Sequence, residues 1–335
     1  MREQLTSSHS GNAALPRRSV TSGVSRERGP LAIVRGLLVT GVTAAIVAPL
    51  VAAPPPAART MAFERDGAVW LAALDGTDAV KITAGVDPCI SPDGRSIAYT
   101  RDTSPPRGVR RHIAIVDVAT RKSRVLASVP GDNAFGPVWS PDGSSLLVNV
   151  LVGTEWSIGL VKADDTSFRY VHKPVAGGHS FWGAVFAPDG ASIFCQDLDN
   201  VVRLSLDGRQ IWQASAAALF PSGSLNSNAR LTPTPDGKGL LIDVDMDEDM
   251  TMKDWDGPPP AVFLVDIAAK TARRLTPKGL FAWDSTWLDT SDFLCITVHE
   301  GDREPSIVRM PFAGGAPVVV MQNGRTPTVS AAPAR

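Results

Sequence analysis

The chain has 335 residues, with 33 Lys and Arg against 34 Asp and Glu and a net charge of −1 at pH 7. That balance excludes the basic footprint that a nucleic-acid partner requires. Three cysteines, Cys89, Cys195 and Cys295, are odd in number and lie in separate apolar runs, so they are read as small core residues and no disulfide is expected.

Residues 1–35 hold six arginines against two glutamates among many Ser, Gly and Thr, without an apolar period, and are read as a disordered basic segment on the cytoplasmic side. Gly36 to Ala53 follows, 18 residues without a charge. A buried helix would show a polar face, so this stretch is expected to be a signal peptide or a membrane anchor. The Pro54-Pro55-Pro56 run makes residues 54–58 a stiff linker. The leader carries +4, which leaves −5 on an exported, periplasmic or extracellular body that meets the membrane only through residues 36–53.

From residue 59 onward the chain reads as short apolar runs joined by turns. Met61 to Asp66 and a hairpin from Val69 to Ile82 come first, followed by Cys89-Ile90 and the turn Ser91-Pro92-Asp93-Gly94. Val138-Trp139 leads into Ser140-Pro141-Asp142-Gly143, Val185-Phe186 into Ala187-Pro188-Asp189-Gly190, and Arg230-Leu231 into Thr234-Pro235-Asp236-Gly237. The prolines are spaced by 49, 47 and 47 residues, a period that indicates a propeller or solenoid. Pro presets φ, Asp bonds back to the backbone, and Gly94, Gly143, Gly190 and Gly237 supply the positive φ that closes each turn. Each turn is followed by an apolar run and a second hairpin, so the unit is four strands.

Asp289 to Asp292 stands in a worn sixth copy without Pro-Asp-Gly. The first copy lacks its innermost strand, and Pro327 to Ala331 matches Pro88 to Pro92, the innermost strand of the next copy. A ring needs such closure because an open sheet edge is unsatisfied. The expected fold is therefore all-β, a six-bladed β-propeller of four-stranded blades over residues 59–331, closed by a C-terminal strand that completes blade 1. The Trp139-Ser140-Pro141-Asp142-Gly143 pattern with its apolar sequel resembles the PD40, or WD40-like, repeat of the TolB-type propellers. The resemblance implies fold over roughly residues 59–331 and leaves chemistry open.

The turn face is repetitive and read as structural. The opposite face gathers Arg107, Arg110, Arg111, Glu155, Trp156, His179, Phe181, Trp182, the segment Asp243 to Asp256, His299, Glu300 and Asp302. Varied loops on a rigid scaffold are where binding sits. Asp243, Asp245, Asp247 and Asp249, continued by Trp255 and Asp256, alternate like a calcium loop but lack the Gly and Glu of an EF-hand. They are read as a plain acidic, solvated loop, with no metal assigned and a divalent cation such as calcium as the alternative. Trp156, Trp182, Trp255 and Trp283 lie near loops and are either core or a ligand platform.

These features point to a monomeric, non-catalytic binding or scaffolding module whose partner is an envelope protein or a glycan, with no cofactor. The alternative is a metal-dependent propeller enzyme, lyase-like or lactonase-like, acting on a carbohydrate or lactone. It requires His179, His299 and carboxylates of blades 5 and 6 to converge over the channel.

Overall fold

Each Pro-Asp-Gly turn is locked by its own side chains before any packing is considered. In the computed structural model Gly94, Gly143, Gly190 and Gly237 have φ of 73°, 70°, 67° and 69°. Their amides donate to the carbonyls of Ser91, Ser140, Ala187 and Thr234, each at 2.9 Å. The aspartate bends back over the turn, so that Asp142 Oδ1 accepts Ser144 N at 3.0 Å and Asp236 Oδ1 accepts Lys238 N at 3.1 Å. In the worn sixth copy Asp289 replaces the motif, its Oδ1 accepting the amides of Ser291 and Asp292 at 2.8 and 2.9 Å.

The described residues are 58–331, except 105–107, 175–177, 179, 251, 253, 254, 256, 300 and 303. Residues 1–57, which hold the leader and all but the last residue of the 54–58 linker, lie outside them together with Arg107, His179, Asp256 and Glu300. Among the described residues no helix is long and apolar enough to cross a membrane.

The strands group into six sheets. Blade 1 contains β1 (Thr60–Arg65), β2 (Ala68–Ala73) and β3 (Val80–Ala84). Blade 2 is β4 (Val86–Ile90), β5 (Ser96–Asp102), β6 (Arg111–Asp117) and β7 (Ser123–Val125). Blade 3 is β8 (Ala134–Trp139), β9 (Ser145–Val152), β10 (Glu155–Lys162) and β11 (Phe168–His172). Blade 4 is β12 (Trp182–Phe186), β13 (Ser192–Gln196), β14 (Asn200–Ser205) and β15 (Gln210–Ser215).

Blade 5 has its four strands and adds a short fifth. A single helical turn, α1 (Ala216–Leu219), and a short β16 (Gly223–Ser224) precede its innermost β17 (Leu231–Pro233). Both β16 and β17 pair with β18 (Gly239–Met246), and β19 (Pro260–Asp266) and β20 (Thr271–Arg274) complete the sheet. Blade 6 is β21 (Phe281–Trp287), β22 (Asp292–Val298), β23 (Ser306–Pro311) and β24 (Val318–Met321).

The last strand, β25 (Arg325–Val329), pairs antiparallel with β1 and closes the ring as read from the sequence. Ser330 clips the closure from both sides, its hydroxyl accepting Thr60 N at 3.0 Å and its carbonyl accepting Arg59 Nε at 3.1 Å.

Packing follows from strand alternation. Successive side chains point to opposite faces, so Leu146 and Val148 of β9 pack on blade 2 while Leu147 packs on blade 4. The hydrophobic core is accordingly divided into six clusters, one between each neighbouring pair of blades, including the pair joined by closure, where Met61 and Phe63 meet Leu294 and Ile296.

Candidate functional site: a charged, aromatic-rimmed channel

The innermost strands carry a repeated irregularity. The pairing register shifts between Val86 and Cys89, Phe135 and Val138, Trp182 and Val185, and Trp283 and Thr286, and across the closure where Ala62 and Glu64 face Thr328 and Arg325, which marks a β-bulge at one level of five blades. The residue at the bulge is left-handed in five blades: Thr326 (φ 50°), Asp87 (50°), Gly136 (62°), Gly183 (62°) and Asp284 (51°). Only glycine adopts this conformation without penalty, so its use by Asp87, Asp284 and the β-branched Thr326 stores strain at one level of the channel. Arg230 occupies the equivalent place in blade 5, since Leu231 pairs with Ile242 as the next inner residue.

A second polar layer lies behind this ring, on the second strand of the blades. Glu64, Thr100, Asn149, Gln196 and Asp243 follow an apolar run in each case, and three of them reach the bulge of the following blade. Glu64 Oε2 accepts Asp87 N at 3.3 Å, Thr100 Oγ1 accepts Gly136 N at 3.0 Å, and Asp243 Oδ2 accepts Asp284 N at 2.8 Å. Each bond supplies a partner for a backbone amide that the bulge removes from the ladder. Thr100 also donates to Asp87 Oδ2 at 2.9 Å. Blade 6 has Ile296 at this place, because its turn is one residue shorter.

The bulges line a central cavity of about 670 Å³. Asp87, Arg230, Asp284, Asn149 and Thr326 contribute polar groups, and Phe135, Trp182 and Trp283 contribute aromatic ones. Burial pushes the carboxyls of Asp87, Asp284 and Glu64 above their ordinary range. Asp243, almost fully buried, is raised to about 7 by burial and then by the Asp284 charge. The guanidinium of Arg111 and then that of Arg230 oppose the shift at Asp87, and Arg230 opposes those at Asp243 and, with Arg325, at Asp284.

Each inner strand begins on the face away from the Pro-Asp-Gly turns, so its first residues rim the channel mouth. Phe135 meets Trp156 edge-on at 5.0 Å, with the Arg111 guanidinium 4.5 Å from the Phe135 ring. Trp255 packs on Phe281 and Trp283, both at 5.4 Å. Of the four loop tryptophans, Trp182 and Trp283 therefore line the cavity itself, while Trp156 and Trp255 buttress its rim.

The acidic segment is divided rather than gathered. Asp243 is no part of a solvated loop: strand alternation turns it, with Leu241, into the interface with blade 6, where it accepts three amides, those of Arg230, Asp284 and Ser285. Asp245 is half-buried, whereas Asp247 and Asp249 are exposed and line a separate cavity of about 550 Å³ beside Ser222 and Met250. His299 is exposed in the loop after β22, its amide donating to Asp302 Oδ2 at 3.0 Å, and it does not line the channel. Among the described residues no three His, Cys, Asp or Glu side chains form a metal-binding group.

TolB from Acinetobacter baumannii superposes with a TM-score of 0.59 and 18% identity, covering 82% of this chain and 66% of that one. A putative TolB from Agrobacterium tumefaciens gives 0.54 and 12%, covering 78% and 88%. The fold is that of the TolB-type propellers. A propeller in a nidogen/laminin complex is also similar, with a TM-score of 0.56 and 12% identity over 81% of this chain and 98% of that one. No family profile matches. The uncharacterized peptidase YuxL of Bacillus subtilis (strain 168) is 33% identical over 94 residues, which are 27% of this chain and only 14% of that protein.

Proposed function

We propose that this TolB-like propeller is a non-catalytic binding module of the cell envelope that holds a protein partner on the rim of its channel. The observation that carries the reading is the aromatic rim: half-buried Phe135, Trp156, Trp182, Trp255 and Trp283, from blades 3 to 6, meet around one cavity on the face opposite the turns. Rigid aromatic side chains that are only half covered are the usual anchors of an interface. The uncharged stretch from Gly36 to Ala53 supports export, and the likeness to TolB in fold is consistent with it. The test is capture from envelope extract with the wild type, with a Trp156→Ala/Trp182→Ala variant and with a turn-face Asp236→Lys variant. Loss of the same protein from the rim variant alone supports the proposal. Loss from the turn-face variant alone refutes it, and retention of a polysaccharide instead of a protein would reassign the partner to a glycan.

A further inference from the structure

The last residue of the inner strand, just before the turn, is aromatic in three blades. Trp139 and Phe186 are 9% and 7% exposed, and the Trp139 indole donates to Cys89 O at 2.9 Å. Trp287 holds the same place in blade 6, pairing with Phe293 as Trp139 pairs with Leu146. It is only half-buried, Phe312 backs its ring at 4.6 Å, and among the described residues its indole N–H is not occluded and has no acceptor. The ring lines a groove of about 560 Å³ between blades 5 and 6, on the turn face.

Blades 3 and 4 enclose a smaller copy of this groove, about 410 Å³, where Ser145, Lys162 and Arg169 stand in place of Gly239, Asp266 and Arg273. There Arg169 Nη1 donates to Leu206 O of the next blade at 2.6 Å. Arg273 Nη1 reaches the matching Phe312 O at only 3.4 Å, which leaves its other donors open. Asp236 and Asp266 each accept a backbone amide through Oδ1, from Lys238 at 3.1 Å and Ala269 at 2.8 Å, and among the described residues Oδ2 of each accepts nothing. The groove therefore offers two carboxylates, the Lys238 ammonium, the Arg273 guanidinium and an indole with its N–H. With charge balanced, an anionic or cationic ligand loses at one pair what it gains at the other. A purely apolar ligand would cover four charges without pairing them. A pyranose meets neither objection, because its hydroxyls both donate and accept while its C–H face lies on aromatic and aliphatic carbon such as Trp287 and Leu264.

We propose that the groove between blades 5 and 6 binds a neutral saccharide. One ring stacks on Trp287, and its hydroxyls donate to Asp236 and Asp266 and accept from Arg273 and Lys238. The groove volume falls within the roughly 300–1,000 Å³ usual for small-ligand sites. This site lies on the face opposite the rim and does not depend on a partner there.

The test is saturation-transfer NMR of the full chain with glucose, galactose and mannose, and with glucuronate and glucosamine as charged counterparts. At least one of the three hexoses is expected to bind, with Kd on the order of 1 mM, and both charged sugars to bind more weakly. Trp287→Ala should remove the signal. Asp266→Lys, which copies blade 3 at an exposed position, should weaken binding by about tenfold, with the melting temperature reporting folding. The Trp156→Ala/Trp182→Ala rim variant should bind the hexose as the wild type does, so a polysaccharide held by the groove is told apart from a glycan held at the rim. No signal from any hexose, equal binding of the charged sugars, a signal kept by both groove variants, or one lost from the rim variant would overturn the proposal.

Discussion

Replacing Asp243 by Asn should flatten the dependence of stability on pH. The unfolded carboxyl titrates near 3.8 and the folded one near 7, raised by burial and by Asp284. The folded state therefore holds this proton more tightly, and the stability so gained is full at low pH and lost as pH rises from 3.8 to about 7. A carboxyl carried over that interval would lose at most about 4 kcal/mol, shared with the coupled Asp284. Glu64, Asp87 and Asp284 are shifted the same way. The turn aspartates act oppositely: Asp142, accepting from Ser140 and Ser144, is lowered to about 2, and its contribution is lost only as pH falls through that value. Stability should thus peak on the acid side of neutrality. Urea unfolding at pH 5, 6, 7 and 8 measures it. The wild type should weaken steadily, and Asp243→Asn, which keeps an oxygen for the Asp284 amide, should weaken less. A wild type that gains stability from pH 5 to 8, or a variant with an unchanged slope, would refute the reasoning.

Three further outcomes follow from the packing. Thr100→Val removes the acceptor of Gly136 N and the donor to Asp87, and should lower stability by about 1–3 kcal/mol for each orphaned group, read by thermal melting. Gly94→Ala would bring its Cβ no closer than 3.6 Å to Ser330, an ordinary contact, and should cost only the left-handed penalty of about 1–2 kcal/mol, whereas Gly76→Ala would set a Cβ 2.0 Å from Val320 O and should cost clearly more. Deleting residues 325–335 removes β25, exposes the edge of β1 and should produce aggregation visible in size-exclusion chromatography.

The repeat was legible because Pro-Asp-Gly states its backbone geometry locally, and the closure because Pro327 to Ala331 copies Pro88 to Pro92. The insertion of α1 and β16 was not, since no turn signal separates Ala216 from the preceding strand. The channel carried a signal that was present and unused. Asp87, Gly136, Gly183 and Arg230 all stand five residues before the turn proline or its equivalent, and Thr100, Asn149, Gln196 and Asp243 all stand eight after it. Reading Asp243 by its acidic neighbours placed it in a solvated loop, whereas its offset from Pro235 places it in the polar layer that bonds the bulge of the following blade. His299 drew notice by residue type alone, and type does not fix direction.

The most direct measurement places a photo-crosslinking residue at position 182 or 156 on the rim, and at position 142 or 236 on the turn face, in the full chain in its native cells. Binding through the aromatic rim predicts one discrete adduct with a second protein from positions 182 and 156 and none from 142 and 236. An adduct from the turn positions alone, or equal adducts from both faces, would contradict it.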